Sequence, residues 1–224
     1  MANYINKNIL CQAYIHVEPD EITEELLENL QNHLESFVKT RAEFFLYPNP
    51  EINIELKEGS IKVYATILGT VTTLFAGIAN YPDFREGAIL LYEDTKRLSD
   101  YITTESIFTT KARHNQVIRI EARTGVVGSL RKIVGELDAL KSMNGKEYAN
   151  THSDKIIDIK DQTLKLIDNL NSIDDVSLVK EGLLSIVTEL PNLPLPPNKK
   201  TNSDEAILLY QRELEAMKAV LRNA

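Results

Sequence analysis

Two segments near the start of the chain alternate between apolar and polar residues. The segment 52–56 alternates, and 61–67 repeats the pattern after a Lys-Glu-Gly turn at 57–59. Alternation places successive side chains on opposite faces of a strand, so the two segments predict a β-hairpin. A β-branched and aromatic segment at 8–16 predicts an earlier strand. Apolar residues at helical spacing predict a helix over 21–39.

From residue 70 onward, apolar residues recur every three or four positions, which is the period of a helix. We therefore expect an α+β, mainly helical fold, in which a small N-terminal strand–helix–hairpin sheet precedes a helical body and a proline-linked C-terminal helix. Further helices are predicted near 84–102, 115–123, 129–141, 153–170, 174–190 and 203–222. The expected domains are an α/β portion 1–68, a helical body 69–190, an extended proline-rich linker 191–202 and a docking helix 203–224.

Composition narrows the classes of function. The 224 residues are 43% hydrophobic, which is enough for a substantial core. A net charge of −8 argues against a chain that coats nucleic acid along its whole length. The single cysteine, Cys11, cannot form an intramolecular disulfide, and the N-terminus has no signal-peptide pattern. We expect a cytoplasmic or inner-membrane-associated protein.

No catalytic constellation stands out in the sequence. His16, His33, His114 and His152 are scattered and form no metal-binding spacing. Neither a phosphate-binding Walker loop nor a Gly-x-Ser-x-Gly elbow occurs. We therefore predict a protein that is not an enzyme and that needs no metal or cofactor.

The segment 63–82 contains no charged residue, and twenty helical residues would span about 30 Å, the thickness of a bilayer core. Small or polar residues recur along it, which suits close helix packing or the lining of a pore. Two interpretations stay open, because the hairpin claims the first residues of this segment: a membrane span, or a buried helix at a core or subunit interface. The predicted pore or assembly face consists of Gly69, Thr73, Gly77 and Asn80.

The segment 111–132 is basic within an acidic chain, and only Glu121 opposes its positive charges. On the predicted helix, Arg119 and Arg123 share a face. A glycine-containing turn at 124–128 precedes the next predicted helix, whose free N–H groups could hold a phosphate. A ligand with several phosphates, such as an oligonucleotide, suits this patch, and a solvated face paired with acidic neighbours is the alternative. The predicted ligand-binding residues are Lys111, Arg113, Arg119, Arg123, Arg131 and Lys132.

The last predicted helix carries apolar residues at alternating spacings of three and four, which is a short heptad seam. The seam is too short for a stable isolated coiled coil, so we expect it to dock, either on its own body or on a neighbouring subunit. We favour the subunit contact. The predicted oligomerisation residues are Ile207, Tyr210, Leu214, Met217 and Leu221.

Three segments together resemble a family of bacterial antiphage proteins. They are 58–63 (Glu-Gly-Ser-Ile-Lys-Val), 80–87 (Asn-Tyr-Pro-Asp-Phe-Arg-Glu-Gly) and 122–130 (Ala-Arg-Thr-Gly-Val-Val-Gly-Ser-Leu). With the uncharged run between the first two, the pattern resembles the membrane-channel effectors of Hailong-type defence systems, over about a third of the chain. The resemblance implies a homo-oligomeric channel that is held in check by a short DNA oligomer, made by a partner nucleotidyltransferase.

The leading hypothesis is accordingly a homo-oligomeric bacterial antiphage effector that forms or gates a membrane channel under the control of a nucleotide or DNA-oligomer ligand. The alternative is a soluble oligomeric adaptor that binds nucleic acid or a protein and has no membrane activity. An enzyme of an unrecognised type is the third class.

Overall fold

The computed structural model describes residues 9–57, 60–77, 83–198 and 200–222. It confirms the predicted α+β class: a small antiparallel sheet built mainly from the N-terminal part of the chain, followed by helices. The strands are β1 (Ile9–Val17), β2 (Glu51–Lys57), β3 (Ile61–Leu68) and β4 (Val117–Arg123). The helices are α1 (Glu24–Phe45), α2 (Val71–Gly77), α3 (Phe84–Thr110), α4 (Gly125–Ser142), α5 (Ala149–Asp168), α6 (Ile173–Thr188) and α7 (Asp204–Arg222).

The four strands pair in the order β2-β3-β1-β4, and every pair is antiparallel. The predicted hairpin is confirmed as β2 and β3, and the predicted first strand is β1. The fourth strand corrects the sequence analysis, which expected a helix over 115–123. Val117, Ile118 and Ile120 are β-branched residues that favour extended backbone, and β1 supplies the hydrogen-bonding partner for them.

The chain forms two compact units. The first comprises Met1–Pro82 and Ile89–Gly128, and the second comprises Asp83–Ala88 and Ser129–Ala224. The strand β4 therefore belongs to the first unit with the other three strands, although it follows α3 along the chain.

The core of the first unit lies on one side of the sheet. Cys11, Ala13, Ile15 and Val17 alternate along β1 and are almost fully buried. On α1 a stripe at spacings of four is buried, namely Leu30, Leu34, Val38 and Ala42. Helix α1 packs on β2. The polar residues of β2 are exposed on one side of the sheet, so α1 covers the opposite, apolar side. Burial raises the pKa of the Cys11 thiol to about 12, so this cysteine stays protonated and unreactive.

The second unit is helical, and α7 packs against α5 and α6. The proline-rich segment that precedes α7 is fastened to this unit by hydrogen bonds. The backbone N–H of Leu195 donates to Asn144 Oδ1 at 2.7 Å, and the Tyr210 hydroxyl donates to the Pro191 carbonyl at 2.8 Å. The segment is therefore a bound part of the second unit.

Candidate ligand-binding face of the sheet

The side of the sheet opposite the core carries polar and aromatic residues in three rows that cross β3, β1 and β4. The rows follow from the register of the strands, because directly paired residues project to the same side. We call these nine residues the polar face. The rows are Thr66–Gln12–Arg123, Tyr64–Tyr14–Glu121 and Lys62–His16–Arg119.

The third row is basic in every strand that it crosses. Lys62 pairs with His16 and His16 pairs with Arg119, while Lys57 of β2 occupies the register position opposite Lys62. The His16 ring, whose Nε2 lies 2.9 Å from the Ser60 hydroxyl, is fixed in place. Its Nε2 also lies 3.8 Å from a Glu18 carboxylate oxygen. We call Lys62, His16 and Arg119 the basic row, in which Lys62 and Arg119 are the two groups that carry a fixed positive charge.

The second row places two tyrosine rings side by side. The centroids of Tyr14 and Tyr64 are 4.8 Å apart and the ring planes are inclined by 44°. The guanidinium groups of Arg119 and Arg123 lie 5.9 and 5.1 Å from the centroid of the Tyr14 ring, within cation–π range. Burial and the adjacent Tyr64 raise the pKa of Tyr14, so its phenol stays neutral near pH 7. We call the pair the aromatic platform; because Tyr14 is only 7% exposed, the half-exposed Tyr64 is its accessible ring.

The first row is held by a chain of hydrogen bonds. Arg123 donates from Nη1 to Gln12 Oε1 at 2.6 Å and from Nε to Glu121 Oε2 at 2.6 Å. Gln12 in turn donates to the Thr66 hydroxyl at 2.7 Å. Burial raises the pKa of Glu121, but the hydrogen bond and charge of Arg123, together with Arg119, outweigh it, so the net shift is downward. Arg123 is therefore a fixed structural cation whose charge Glu121 balances.

Arg119 is the accessible arginine of the polar face. It also pairs with Glu121, but 64% of its side chain is exposed, against 12% for Arg123. An exposed ion pair contributes little to stability, so Arg119 can exchange this partner for a ligand at small cost.

The predicted basic patch is divided by the structure. Arg119 and Arg123 do share a face, but on a strand and not on a helix. The segment between α3 and β4 contains Lys111, Arg113 and a single 3-10 turn, His114–Gln116. It enters β4 at the end of the sheet where the basic row lies. The remaining predicted residues, Arg131 and Lys132, belong to the second unit and lie outside the polar face.

The glycine-containing turn has a packing role. Helix α4 begins at Gly125, four residues before the predicted start at Ser129. Gly125 has a φ of +49°, and a Cβ atom there would lie 2.2 Å from the Ile9 carbonyl oxygen. Only glycine permits this approach of α4 to β1. A Cβ at Gly128 would likewise meet the Thr124 hydroxyl at 2.1 Å.

The uncharged run 63–82 is not one helix. Its first six residues belong to β3, and only α2 (Val71–Gly77) is helical among its described residues. Gly69 therefore precedes the helix and packs beneath the Tyr47 hydroxyl, and Thr73 contacts the Thr70 hydroxyl at 2.6 Å. Of the predicted face, Thr73 and Gly77 lie on α2, while Asn80 is outside the described residues. Within the described ranges, no helix combines the length and the apolar character that a membrane crossing requires.

The seam on α7 packs within its own chain. Tyr210, Leu214, Met217 and Leu221 are buried, and α5 and α6 are the helices that α7 contacts. Ile207 is half-buried. The contact that we expected between subunits is thus made inside the second unit, because residues from α5 and α6 fill the seam.

Six residues of the polar face were not predicted from the sequence as part of a site: Gln12, Tyr14, His16, Lys62, Tyr64 and Thr66. A signal was available, because the same alternation that predicts β1 and β3 assigns these residues to the side opposite the apolar core.

Comparison of the chain with protein-family models, with curated proteins and with solved structures gave no match.

Proposed function

We propose that the polar face binds a short single-stranded oligonucleotide and that the protein works by binding and not by turnover. The observation that carries the proposal is the basic row lying beside the Tyr14–Tyr64 pair. Proteins that bind single strands combine cationic side chains along the phosphate backbone with aromatic rings on which bases stack. The two neighbouring rows supply both kinds of group on one surface.

The three rows would have different roles in ligand binding. Lys62 and Arg119 at either side of His16 would contact phosphates, and the half-exposed Tyr64 ring would accept a base. Gln12 is buried and Arg123 is half-buried, and the two are hydrogen-bonded to each other. They hold Tyr14 and Glu121 in position and do not need to touch the ligand. The acidic Glu55, opposite Tyr64 on β2, would limit the ligand to the side of the sheet formed by β3, β1 and β4.

The ligand class agrees with the DNA oligomer that the Hailong resemblance implies, and a partner nucleotidyltransferase would then be its source. The channel part of that resemblance stays a prediction, because residues 63–82 divide between β3, α2 and the part of the chain outside the described residues. We accordingly place the oligonucleotide-binding adaptor ahead of the channel.

The experiment is fluorescence anisotropy with a labelled single-stranded DNA of about ten nucleotides, which is within the range of sites on small sheet-based domains. Lys62→Glu should weaken binding about tenfold or more, because it removes a phosphate contact and adds a repulsion. Lys39→Glu makes the same charge change on the exposed side of α1 and should leave binding within about twofold of the parent protein.

Salt dependence supplies the second readout. Two or three phosphate contacts predict that the logarithm of the binding constant falls with the logarithm of salt concentration with a slope of about −1.4 to −2.1. Absence of binding at low salt, or equal losses in Lys62→Glu and Lys39→Glu, would overturn the proposal. Binding of a protein partner with no oligonucleotide binding would favour the protein-binding adaptor instead.

A further inference from the structure

The strand β4 forms an edge of the sheet and leaves apolar side chains exposed. Ile118 is 54% exposed and Ile120 is 47% exposed. Ile120 pairs with Ile15, which is fully buried, so Ile120 projects to the apolar side and not to the polar face, and Ile118 is exposed next to it at the register irregularity. The apolar side of the sheet therefore extends beyond its covered part, out to the edge.

Sheet edges in soluble proteins are usually protected by charge, proline or a bulge, since an open edge pairs with other chains. Within the described ranges, no strand pairs with the outer edge of β4. The irregularity in its register with β1 lies at its start, where Ile118 falls between the paired residues Val117 and Arg119, so the edge from Arg119 to Arg123 is regular. The charges on β4 project to the polar face alone, and so they do not shield Ile118 and Ile120. An edge with this composition favours the addition of another strand.

The sequence of β4 is complementary to itself. We infer that two copies of the chain pair through β4 in antiparallel orientation, with Ile120 opposite the partner's Ile120. This register places Arg119 opposite the partner's Glu121 on the polar side, and it sets Ile118 beside the partner's Ala122. Opposite charges at directly paired positions stabilise an antiparallel pair, and by symmetry this interface contains the pair twice.

Other registers of the two β4 strands are less favourable for pairing opposite charges and joining apolar residues. A shift that centres the pair on Glu121 sets that carboxylate against its own copy and sets Arg119 against the partner's Arg123. A shift by a half-step places isoleucine opposite a charged residue, which mixes the apolar and polar sides. A register centred on Ala122 also pairs opposite charges, Glu121 with the partner's Arg123, but only 121–123 of the two strands then overlap. The register centred on Ile120 pairs opposite charges and overlaps the whole of β4.

The dimer would join the two sheets into one continuous sheet and bring two polar faces into one surface. Each basic row ends at Arg119, so the two rows would approach the shared edge from opposite sides. This arrangement does not depend on the proposed ligand, because apolar burial and the Arg119–Glu121 pairs act without it.

Exchanging the charges at positions 119 and 121 tests the interface. The readout is the native mass of each variant, measured by light scattering coupled to size-exclusion chromatography over a series of protein concentrations. Arg119→Glu places two pairs of carboxylates opposite each other and should raise the dissociation constant of the dimer at least about tenfold. The double variant R119E/E121R restores opposite charges at every pair and should recover most of the dimer. Circular dichroism of each variant checks that the chain is folded.

Disulfide trapping tests the register. Ile120→Cys places two thiols directly opposite each other across the symmetry axis, within reach of a disulfide on mild oxidation. Ile118→Cys is the matched control, since the two copies of this position would lie four residues apart, about 13 Å along the strand, and cannot be bridged. The natural Cys11 is buried and does not compete.

The inference predicts a dimer, its loss in Arg119→Glu, its recovery in the double variant and cross-linking of Ile120→Cys alone. A monomer at every concentration would overturn it. So would an oligomer whose mass ignores the Arg119→Glu change, or equal cross-linking of Ile118→Cys and Ile120→Cys.

Discussion

His16 of β1 and Arg119 of β4 lie directly opposite each other on the polar face of the sheet, and Lys62 of β3 lies opposite His16 on its other side. Lys62 and Arg119 thus bring two positive charges to one row of the sheet, with the His16 imidazole between them. The chain has a net charge of −8, so cations concentrated in this row are not a consequence of overall composition. A bound polyanion gives the arrangement a physical reason.

The aromatic platform leads to the first prediction. Tyr64→Ala should weaken oligonucleotide binding about fivefold to a hundredfold, because stacking of one base on an aromatic ring contributes about 1–3 kcal/mol. Tyr64→Phe keeps the ring and should retain binding within about threefold. Titrations of both variants by anisotropy check this, and equal losses in the two would indicate that the hydroxyl, and not the ring, makes the contact.

The second prediction concerns the close approach of α4 to β1. Gly125→Ala should lower the free energy of unfolding by about 2–4 kcal/mol, since it adds left-handed strain and a clash with the Ile9 carbonyl. Gly145→Ala is the control, because Gly145 has a φ of +79° but no atom within 4 Å of an added Cβ. It should cost only about 1 kcal/mol. Urea unfolding followed by circular dichroism measures both, and equal costs would contradict the close approach.

The third prediction is a pH dependence in the second unit. Hydrogen bonds from Lys141 at 2.7 Å and Arg85 at 2.8 Å lower the pKa of Glu189 from 4.5 to about 2. A lowered pKa in the folded state means that the carboxylate stabilises the fold above about pH 4.5, and that this contribution is lost as the pH falls toward 2. Because the Glu189 side chain is 42% exposed, solvent screening keeps the effect small.

Thermal unfolding of the parent protein and of Glu189→Gln measures this dependence. The parent should melt at a higher temperature than the variant near neutral pH, and the two should converge in acid. A difference that stays constant over that range would show that the two cations do not hold the carboxylate as described.

The sequence predicts those parts of the fold that depend on local patterns. Strict alternation in 52–56 and 61–67 identifies the hairpin, and helical periodicity identifies α4 to α7. The strand β4 was predicted to be a helix because the local pattern is ambiguous. A spacing of four, as between Arg119 and Arg123, places two residues on one face of either a helix or a strand. What decides between them is pairing with β1, about a hundred residues away along the chain.

The site was harder to predict than the fold because it depends on long-range pairing of strands. Lys62, His16 and Arg119 form a row only through the register of β3, β1 and β4, and register depends on long-range pairing that one sequence does not display. The seam of α7 shows a related limit. Its spacing predicts that Leu214 and Met217 are buried, but a heptad pattern does not say whether the covering helices belong to the same chain.

Photochemical cross-linking tests the central claim most directly. A single-stranded DNA of about ten nucleotides that carries 5-iodouracil reacts on irradiation with an aromatic ring stacked on the modified base. Digestion and mass spectrometry of the native protein should locate the cross-link at Tyr64, and excess unmodified DNA should suppress it. A cross-link that maps instead to the aromatic residues of α1 or α3, or that survives in the Tyr64→Ala and Lys62→Glu variants, would contradict binding at the polar face.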